Sequence, residues 1–484
     1  MGLVGILVAL GLLIWFSFRG WSVLLLAPAV ALLAAALAGE PVLAHWTQTF
    51  MISAAQFVAQ FFPIFLLGAL FGKLMDDSGS VQTIANFMST KLGHQRAILA
   101  VVLAGALVTY GGVSLFVAFF VLAPMARELF RAANIPQRLM PATIALGTST
   151  FTMSAMPGTP AIQNTIPMPF FGTTPFAAPG LGIIASAIML AFGLWWLGRA
   201  EASARRSGEG YEGVTEVGSG ALADDQFIRE RATSSHEFDP AEISHGKRSP
   251  VTPPIGTAII PLVVVVGVNL LMSLLILPRM DFSFLAEERW GNTSLAGVAG
   301  VWSVAVALAV ASATLVVLNQ TRLPDLRASM DAGANASVLP IFSVASLVGF
   351  GAVVAALPAF AAVRDWVLSI SGGPLVSLAI ATNVLAALTG SASGGLTIAL
   401  DALGDIYLQI AQASGIDPAL MHRIAVIGSG TLDSLPHNGA VVTLLAVCGS
   451  THRKSYFDMV LANIVGPIVA LVAVIILGSV FGSF

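Results

Sequence analysis

The chain has 484 residues and a net charge of −3; 56% of its residues are hydrophobic and 10% are charged. A soluble domain carries about 25% charged residues, so this composition, with a mean hydropathy of +0.88, excludes an ordinary water-soluble fold and makes lipid part of the solvent. The slightly negative net charge argues against a nucleic-acid partner.

Ten apolar segments approach the roughly 20 residues that a membrane-spanning helix needs. They lie at 2–18, 22–38, 52–72, 139–168 and 181–198, and again at 255–278, 294–318, 334–357, 419–449 and 457–481. We therefore predict an all-α polytopic membrane protein. Proline and glycine interrupt the segments 139–168 and 419–449, which we predict to be broken helices because proline ends a helix and glycine permits the turn.

Two further apolar stretches, about 97–130 and 374–412, are each long enough for two short helices. Each breaks at a cluster of small residues, Thr109-Tyr110-Gly111-Gly112-Val113-Ser114 and Thr389-Gly390-Ser391-Ala392-Ser393-Gly394-Gly395. We predict that both are re-entrant hairpins. Residues 199–254 are polar, charged and rich in Gly and Ser, which predicts a flexible cytoplasmic linker between the halves 1–198 and 255–484.

The two halves resemble each other. Ala145-Leu146-Gly147-Thr148-Ser149-Thr150 matches Val426-Ile427-Gly428-Ser429-Gly430-Thr431, and Leu139-Met140 precedes the first at the spacing with which Leu420-Met421 precedes the second. Five crossings and one hairpin per half, an odd number of crossings, predict two inverted repeats. Lys73, Arg138, the linker and Lys454 then share the side that carries most Lys and Arg, which the positive-inside rule makes cytoplasmic, with both termini outside.

The four breaks are predicted to form a shared anion site. Backbone that is not helical at membrane depth must be buried in protein or line a wet cavity, and each break exposes the N-terminus of a half-helix, where amides and the dipole attract an anion. No Lys or Arg lies at these breaks. The candidate substrate-binding residues are Tyr110, Gly111, Gly112, Ser114, Thr152, Ser154, Gly158, Thr159, Gln163, Asn164, Ser391, Ser393, Gly394, Ser434, His437 and Asn438.

Asp433 and His437 are ionisable residues predicted at membrane depth, where such groups are costly and functional candidates by default. We predict that both take part in proton coupling, although Asp433 could instead help to hold a sodium ion. Asp401 and Asp405 lie four residues apart on one helix face and are interpreted as structural or interfacial. Arg423 is interpreted as an anchor near the outer end of its helix.

At the two helix breaks the sequence resembles the gluconate:proton symporter (GntP) family, within the wider ion-transporter superfamily. The residues responsible are Met156-Pro157-Gly158-Thr159-Pro160-Ala161-Ile162-Gln163-Asn164, Gly172-Thr173-Thr174-Pro175 and Asp433-Ser434-Leu435-Pro436-His437-Asn438-Gly439-Ala440. The opening segments, with His45-Trp46 and 68–73, look most like the 3-hydroxybutyrate permease branch.

The resemblance implies proton-coupled uptake of a small hydroxycarboxylate across a bacterial-type inner membrane by a homodimer. It also implies a fixed scaffold and a moving transport domain, an elevator, with residues 2–72 and 255–357 forming most of the scaffold.

Three alternatives remain open: a sodium-coupled transporter of the same architecture, a passive channel, and an intramembrane enzyme. Against the enzyme, His236-Glu237 is followed by no matching His of a zinc-protease motif, and no G-x-S-x-G elbow occurs. No cofactor or metal is predicted.

Overall fold

The computed structural model describes residues 2–18, 21–211, 247–436 and 438–484, without the side chains of 14, 17, 18, 363 and 368. The helices of the first half are α1 Gly2–Phe18, α2 Val23–Ala38, α3 Val42–Asp77, α4 Ser80–Leu92, α5 Ala97–Tyr110, α6 Leu115–Ala132, α7 Met140–Thr148, α8 Phe151–Ser154, α9 Ile162–Thr165, α10 Pro167–Phe171 and α11 Pro179–Ser207. The second half contains α12 Ile255–Arg279, α13 Leu295–Leu318, α14 Leu326–Ala356, α15 Phe360–Leu368, α16 Pro374–Thr389, α17 Ala392–Ser414, α18 Pro418–Ser429, α19 Gly439–Val447 and α20 His452–Phe481.

Six of the ten predicted crossings are long apolar helices. In the described part of the chain, α3, α11, α12, α13, α14 and α20 have the length and composition to cross a membrane, with 24 to 36 residues each. Helices α1 and α2 have 17 and 16 residues, about 25 Å at 1.5 Å per residue. The all-α membrane class is therefore confirmed.

Helices α4 and α15 have no counterpart among the predicted segments. Each lies between the third helix of its half, counting α1 and α12 as the first, and the following hairpin. The chain turns by 101° between α4 and the helix that ends at Tyr110, and Gly93 supplies the positive φ of 67° at the corner. Helix α4 mixes buried Ile84 and Ala85 with exposed polar residues, so no continuous apolar run marks it in the sequence.

The four predicted breaks are present. The first hairpin turns between α5 and α6, and the second turns between α16 and α17 at Gly390 and Ser391. The first pieces of the two broken helices end at Thr148 and Ser429, positions that the sequence match pairs with each other. The second pieces begin at Ile162 and at Gly439.

Packing between the halves is reciprocal. Helix α2 packs on α14 and α13 packs on α3, so the second helix of each half contacts the third helix of the other. The third helices, α3 and α14, pack together, as do the last helices, α11 and α20. The short helices follow the same pattern, because α4 contacts α12 and α15 contacts α1.

Glycine allows the broken helices to approach the hairpins closely. A Cβ on Gly147 of α7 would lie 2.4 Å from the carbonyl oxygen of Val102 in α5, and a Cβ on Gly428 of α18 would lie 2.4 Å from Oγ1 of Thr382 in α16. Gly147 and Gly428 occupy matching positions in the two sequence segments. Any side chain would push each broken helix away from its hairpin.

Both described ends of the predicted linker contact the folded helices. Helix α11 continues to Ser207, eight residues beyond the predicted start of the linker at 199, and Glu209 then pairs with Arg138 at 2.8 Å. At the other end, Arg248 pairs with Asp76 at 2.9 Å and the amide of Ser249 donates to the carbonyl of Asp77. The remainder of the predicted linker, 212–246, lies outside the described residues.

Candidate substrate-binding site

An inner cavity of about 30 Å³ lies where the breaks meet. Leu115 follows the first hairpin tip, Ala392 follows the second, Ser154 and Gln163 come from the first broken helix, and Asn438 comes from the second. The other lining residues are Phe119, Ala145, Ser149, Met153, Gly430, Asp433, Ser434, Ala440, Val441, Leu444 and Met459. Residues that are distant in sequence are thus brought to one small, partly polar space.

Three helices begin at this cavity: α6 with 18 residues, α17 with 23 and α19 with nine. Their aligned peptide dipoles place partial positive charge at these N-termini. Each first turn is capped, because Ser114 Oγ accepts from the Phe116 amide, Ser391 Oγ from the Gly394 amide, and Asn438 Oδ1 from the Ala440 amide. The caps occupy amides that the sequence interpretation left free, so the dipoles and the uncapped amides remain for an anion.

An outer cavity of about 120 Å³ adjoins the first hairpin tip. Gly112 and Ser114 of the tip face Gly68 of α3 and Pro340 of α14 across it. Leu115, Met153 and Gln163 line both cavities. The two spaces are therefore neighbours, and these three side chains lie at their junction.

Seven predicted site residues line a cavity. Ser154, Gln163, Asp433, Ser434 and Asn438 line the inner cavity, and Gly112, Ser114 and again Gln163 line the outer one. The hydroxyl of Ser154 donates to the carbonyl of Thr150 at 3.0 Å, and that of Ser434 donates to Asp433 Oδ1 at 3.3 Å. Of the described residues that line the inner cavity, Asp433 is the one ionisable side chain.

Other predicted residues in the first half support the break without lining either cavity. Thr152 Oγ1 accepts from Thr109 Oγ1 at 3.1 Å, and the phenol of Tyr110 donates to the Pro157 carbonyl at 2.8 Å. The Gly158 amide donates to the Pro175 carbonyl, and Thr159 Oγ1 accepts from the Ala161 amide.

The remaining predicted residues pack beside the hairpin tips. A Cβ on Gly111 would lie 2.1 Å from Leu262 of α12, and one on Gly394 would lie 2.5 Å from Leu347 of α14. Ser391 and Ser393 bond to each other through their hydroxyls at 3.2 Å, while Ala392 between them lines the inner cavity. His437 lies outside the described residues. Asp401 and Asp405 line neither cavity, and their assigned role stays a prediction.

Arg423 is fully buried, which corrects its interpretation as an anchor near the end of its helix. Its guanidinium donates to the carbonyl of Ala177 at 2.7 Å and to Oδ1 of Asn164 at 3.2 Å. The neighbouring His422, also fully buried, lies 3.2 Å from the same Asn164 oxygen and 2.6 Å from Thr173 Oγ1. Asn164, a predicted substrate ligand, is thus engaged in joining the two broken helices.

A usable signal for this cluster was present in the sequence. His422 and Arg423 stand together between Met421 and Ile424 inside an apolar helix, and ionisable residues within membrane segments are functional candidates by default. The carbonyls of the 175–177 segment that receive Arg423 had no such signal, because any residue carries a carbonyl.

Comparisons with known proteins point to membrane transporters. A family model described as GntP family permease matches residues 1–172. The chain is 41% identical to the uncharacterized transporter YxjC of Bacillus subtilis (strain 168), over 100% of both chains. It is also 34% identical to the high-affinity gluconate transporter of Escherichia coli (strain K12), over 21% of this chain and 23% of that one.

A solved structure shares the fold. The chain aligns with MtrF of Neisseria gonorrhoeae, whose structure is described as that of a class of antimetabolite efflux pumps. The TM-score is 0.52 and the identity is 12%, over 90% of this chain and 84% of that chain. An identity this low bears on the fold alone. The family match and the full-length relative identify the protein as a polytopic membrane transporter and exclude an enzyme. This chain belongs to the GntP permease family.

Proposed function

We propose that this protein is a secondary transporter that carries a small hydroxycarboxylate, of the gluconate or 3-hydroxybutyrate class, across the bacterial plasma membrane together with protons. The observation that carries the proposal is the meeting of all four breaks at the inner cavity. Broken helices and hairpins that meet around a buried site are the arrangement that secondary transporters use to hold substrates and coupling ions.

The helix N-termini support a carboxylate as the anchored group. Helices α6, α17 and α19 all begin at the inner cavity, and a negative group there is stabilised by their dipoles. Ser154, Ser434 and Asn438 add hydroxyl and amide groups around it. The short match to a gluconate transporter supports a substrate that carries hydroxyl groups as well as a carboxylate.

Asp433 supports proton coupling. An anion that enters a small cavity beside an ionised carboxylate is repelled by it, and like charges at short range raise the affinity of one of them for a proton. Binding of the anion and protonation of Asp433 are then favoured together, which couples anion accumulation to the proton gradient. His437, predicted beside it, is a second candidate for the proton.

Uptake into proteoliposomes tests this function. With a proton gradient we expect accumulation of labelled gluconate or 3-hydroxybutyrate, and we expect Asp433→Asn to abolish accumulation while counterflow exchange persists. Asp405→Asn, on an exposed aspartate outside both cavities, is the matched control. Accumulation driven by sodium alone would replace proton coupling with the sodium alternative, and absence of uptake under either gradient would contradict the proposal.

We further propose that the two halves, 1–198 and 255–484, are inverted repeats and that the protein operates as an elevator. The reciprocal packing of α2 on α14 and of α13 on α3 supports a two-fold relation. Helices α1 to α3 and α12 to α14 would form the scaffold, and the hairpins and broken helices would form the transport domain. Apolar contacts such as Gly111 with Leu262 favour sliding between these parts, because few polar bonds must break.

We also propose an orientation and an assembly. The excess of Lys and Arg on the linker side supports a cytoplasmic linker with both termini outside, and the family resemblance supports a homodimer as the working unit. Labelling of single cysteines at each terminus and in 212–246 by a membrane-impermeant maleimide tests the orientation. Native mass spectrometry in lipid nanodiscs tests the dimer, and a monomer that transports at full rate would contradict it.

A further inference from the structure

Gln163 holds a buried acceptor that lacks a partner. Its side chain is 5% exposed, and its Oε1 makes no hydrogen bond with any described residue. A buried polar atom left unpaired is costly, and native structures satisfy most such atoms. Gln163 also lines both cavities, so its side chain lies beside the space that is available to a bound group.

The neighbouring residues keep Gln163 in place. Asn164 Nδ2 donates to the carbonyls of Thr159 and Pro175, each at 3.0 Å, and Asn164 Oδ1 receives Arg423. Every polar atom of the Asn164 side chain is therefore engaged, and the backbone beside Gln163 is tied to Thr159 and Pro175. The amide of Gln163 is consequently presented to the cavities from a rigid support, as a selective contact requires.

We propose that Gln163 accepts a hydrogen bond from a hydroxyl group of the substrate, and that this contact selects hydroxycarboxylates over carboxylates without a hydroxyl. A carboxylate only accepts hydrogen bonds, so it cannot satisfy Oε1, whereas a hydroxyl can donate. The helix N-termini serve the carboxylate end and Gln163 serves the hydroxyl end. This inference rests on the proposed function and adds the residue that distinguishes the substrate class.

The energetic consequence is discrimination between matched acids. A site built to bond a hydroxyl rejects the analogue that lacks it, because the buried acceptor is then left unpaired. The unmade bond predicts a preference of about 10- to 100-fold for the hydroxy-acid. Replacing Gln163 by leucine removes the acceptor and is expected to bring the preference close to one, mainly through weaker binding of the hydroxy-acid.

The test is titration of purified protein with two matched pairs, 3-hydroxybutyrate against butyrate and gluconate against hexanoate. Wild type should prefer the hydroxy-acid of the pair that it binds, and Gln163→Leu should lose that preference. Gln82→Leu is the matched control, since Gln82 is an exposed glutamine of α4 that lines neither cavity; it should leave the preference unchanged. Thermal unfolding of each variant checks folding. If the leucine variant unfolds, Gln163→Asn replaces it, because it withdraws the amide oxygen by one methylene and is expected to lose the preference in the same way.

The outcomes separate the two proposals. If wild type binds hydroxy-acids but Gln163→Leu keeps the full preference, or loses affinity equally for both members of a pair, the role of Gln163 is wrong and the transport function stands. If wild type shows no preference within a pair that it binds, the inference is also wrong. If wild type binds none of the four acids, the substrate class proposed above fails, and the assignment of Gln163 fails with it.

Discussion

The guanidinium of Arg423 donates a hydrogen bond to Oδ1 of Asn164 at 3.2 Å, and this bond joins the second broken helix to the first. Further bonds from Arg423 reach the Ala177 carbonyl through Nε at 3.1 Å and Nη2 at 2.7 Å. No carboxylate of the described chain forms an ion pair with Arg423. Carbonyl and amide oxygens therefore solvate a fully buried cation and hold the irregular segments around it.

Replacing Arg423 by alanine is expected to destabilise the protein strongly. Hydrogen bonds to charged groups contribute about 1.5–3 kcal/mol each, and the variant leaves several buried oxygens unpaired at once. Thermal unfolding in detergent should show a large fall in the unfolding temperature for Arg423→Ala. Arg364→Ala, which removes a guanidinium that is 42% exposed, should change the unfolding temperature little. Equal effects of the two variants would contradict the role of Arg423 in holding the irregular segments together.

Asn269 is expected to stabilise the described conformation. Its Nδ2 donates to the Gly158 carbonyl at 3.0 Å, joining α12 of the proposed scaffold to the first broken helix. Asn269→Leu leaves that buried carbonyl without its donor, at a cost of about 1–3 kcal/mol. If the two parts move relative to each other, the variant should shift the conformational equilibrium by about fivefold or more.

Maleimide labelling of a single cysteine in the outer cavity measures this shift. Ser337 lines that cavity, and the native cysteine, Cys448, is fully buried and is replaced by alanine. Labelling at position 337 should change rate in Asn269→Leu and stay unchanged in Asn335→Ala, which removes an exposed asparagine. An unaltered rate in Asn269→Leu would argue against a conformational role for this bond.

Lys73 and Asp77 form a buried ion pair, and removing either partner alone should cost more stability than removing both. Their side chains are 1% and 0% exposed with 3.0 Å between Nζ and Oδ1, and Ser329 of α14 donates to Asp77 Oδ2 at 2.6 Å. Lys73→Met or Asp77→Asn alone leaves a buried charge without its partner, which should lower the free energy of unfolding by about 3–5 kcal/mol. The double variant should be more stable than either single one; simple additivity in unfolding measurements would contradict this.

Gly112 is expected to tolerate no side chain. Its φ is +97°, and a Cβ would lie 2.8 Å from Pro160 across the junction of hairpin and broken helix. Gly112→Ala should therefore lower both stability and uptake. The left-handed backbone alone should reduce the free energy of unfolding by about 1–2 kcal/mol. Gly198→Ala, in a helix with no atom within 4 Å of the new Cβ, should be neutral or slightly stabilising, and equal behaviour of the two would contradict the steric argument.

The positions of the breaks could be predicted because local chemistry causes them. Gly111 and Gly112 end one hairpin arm, Pro157 and Gly158 interrupt the first broken helix, and Pro436 the second, since proline and glycine act on their own backbone. Helix α4 was missed because it mixes buried apolar with exposed polar residues, which differs from the long apolar run of a spanning helix. The role of Arg423 was misread because its oxygen partners lie some 246 residues away.

The sequence alone determined the membrane class, the places where helices stop, and the likeness between the two halves, because hydropathy and the effects of proline and glycine are local. The tertiary structure decided which candidate side chains face a cavity. Gln163 reaches both cavities while its neighbour Asn164 is held by Arg423, although the two are adjacent amides in one break. Helix packing alone sets which of two such neighbours turns toward substrate and which toward protein.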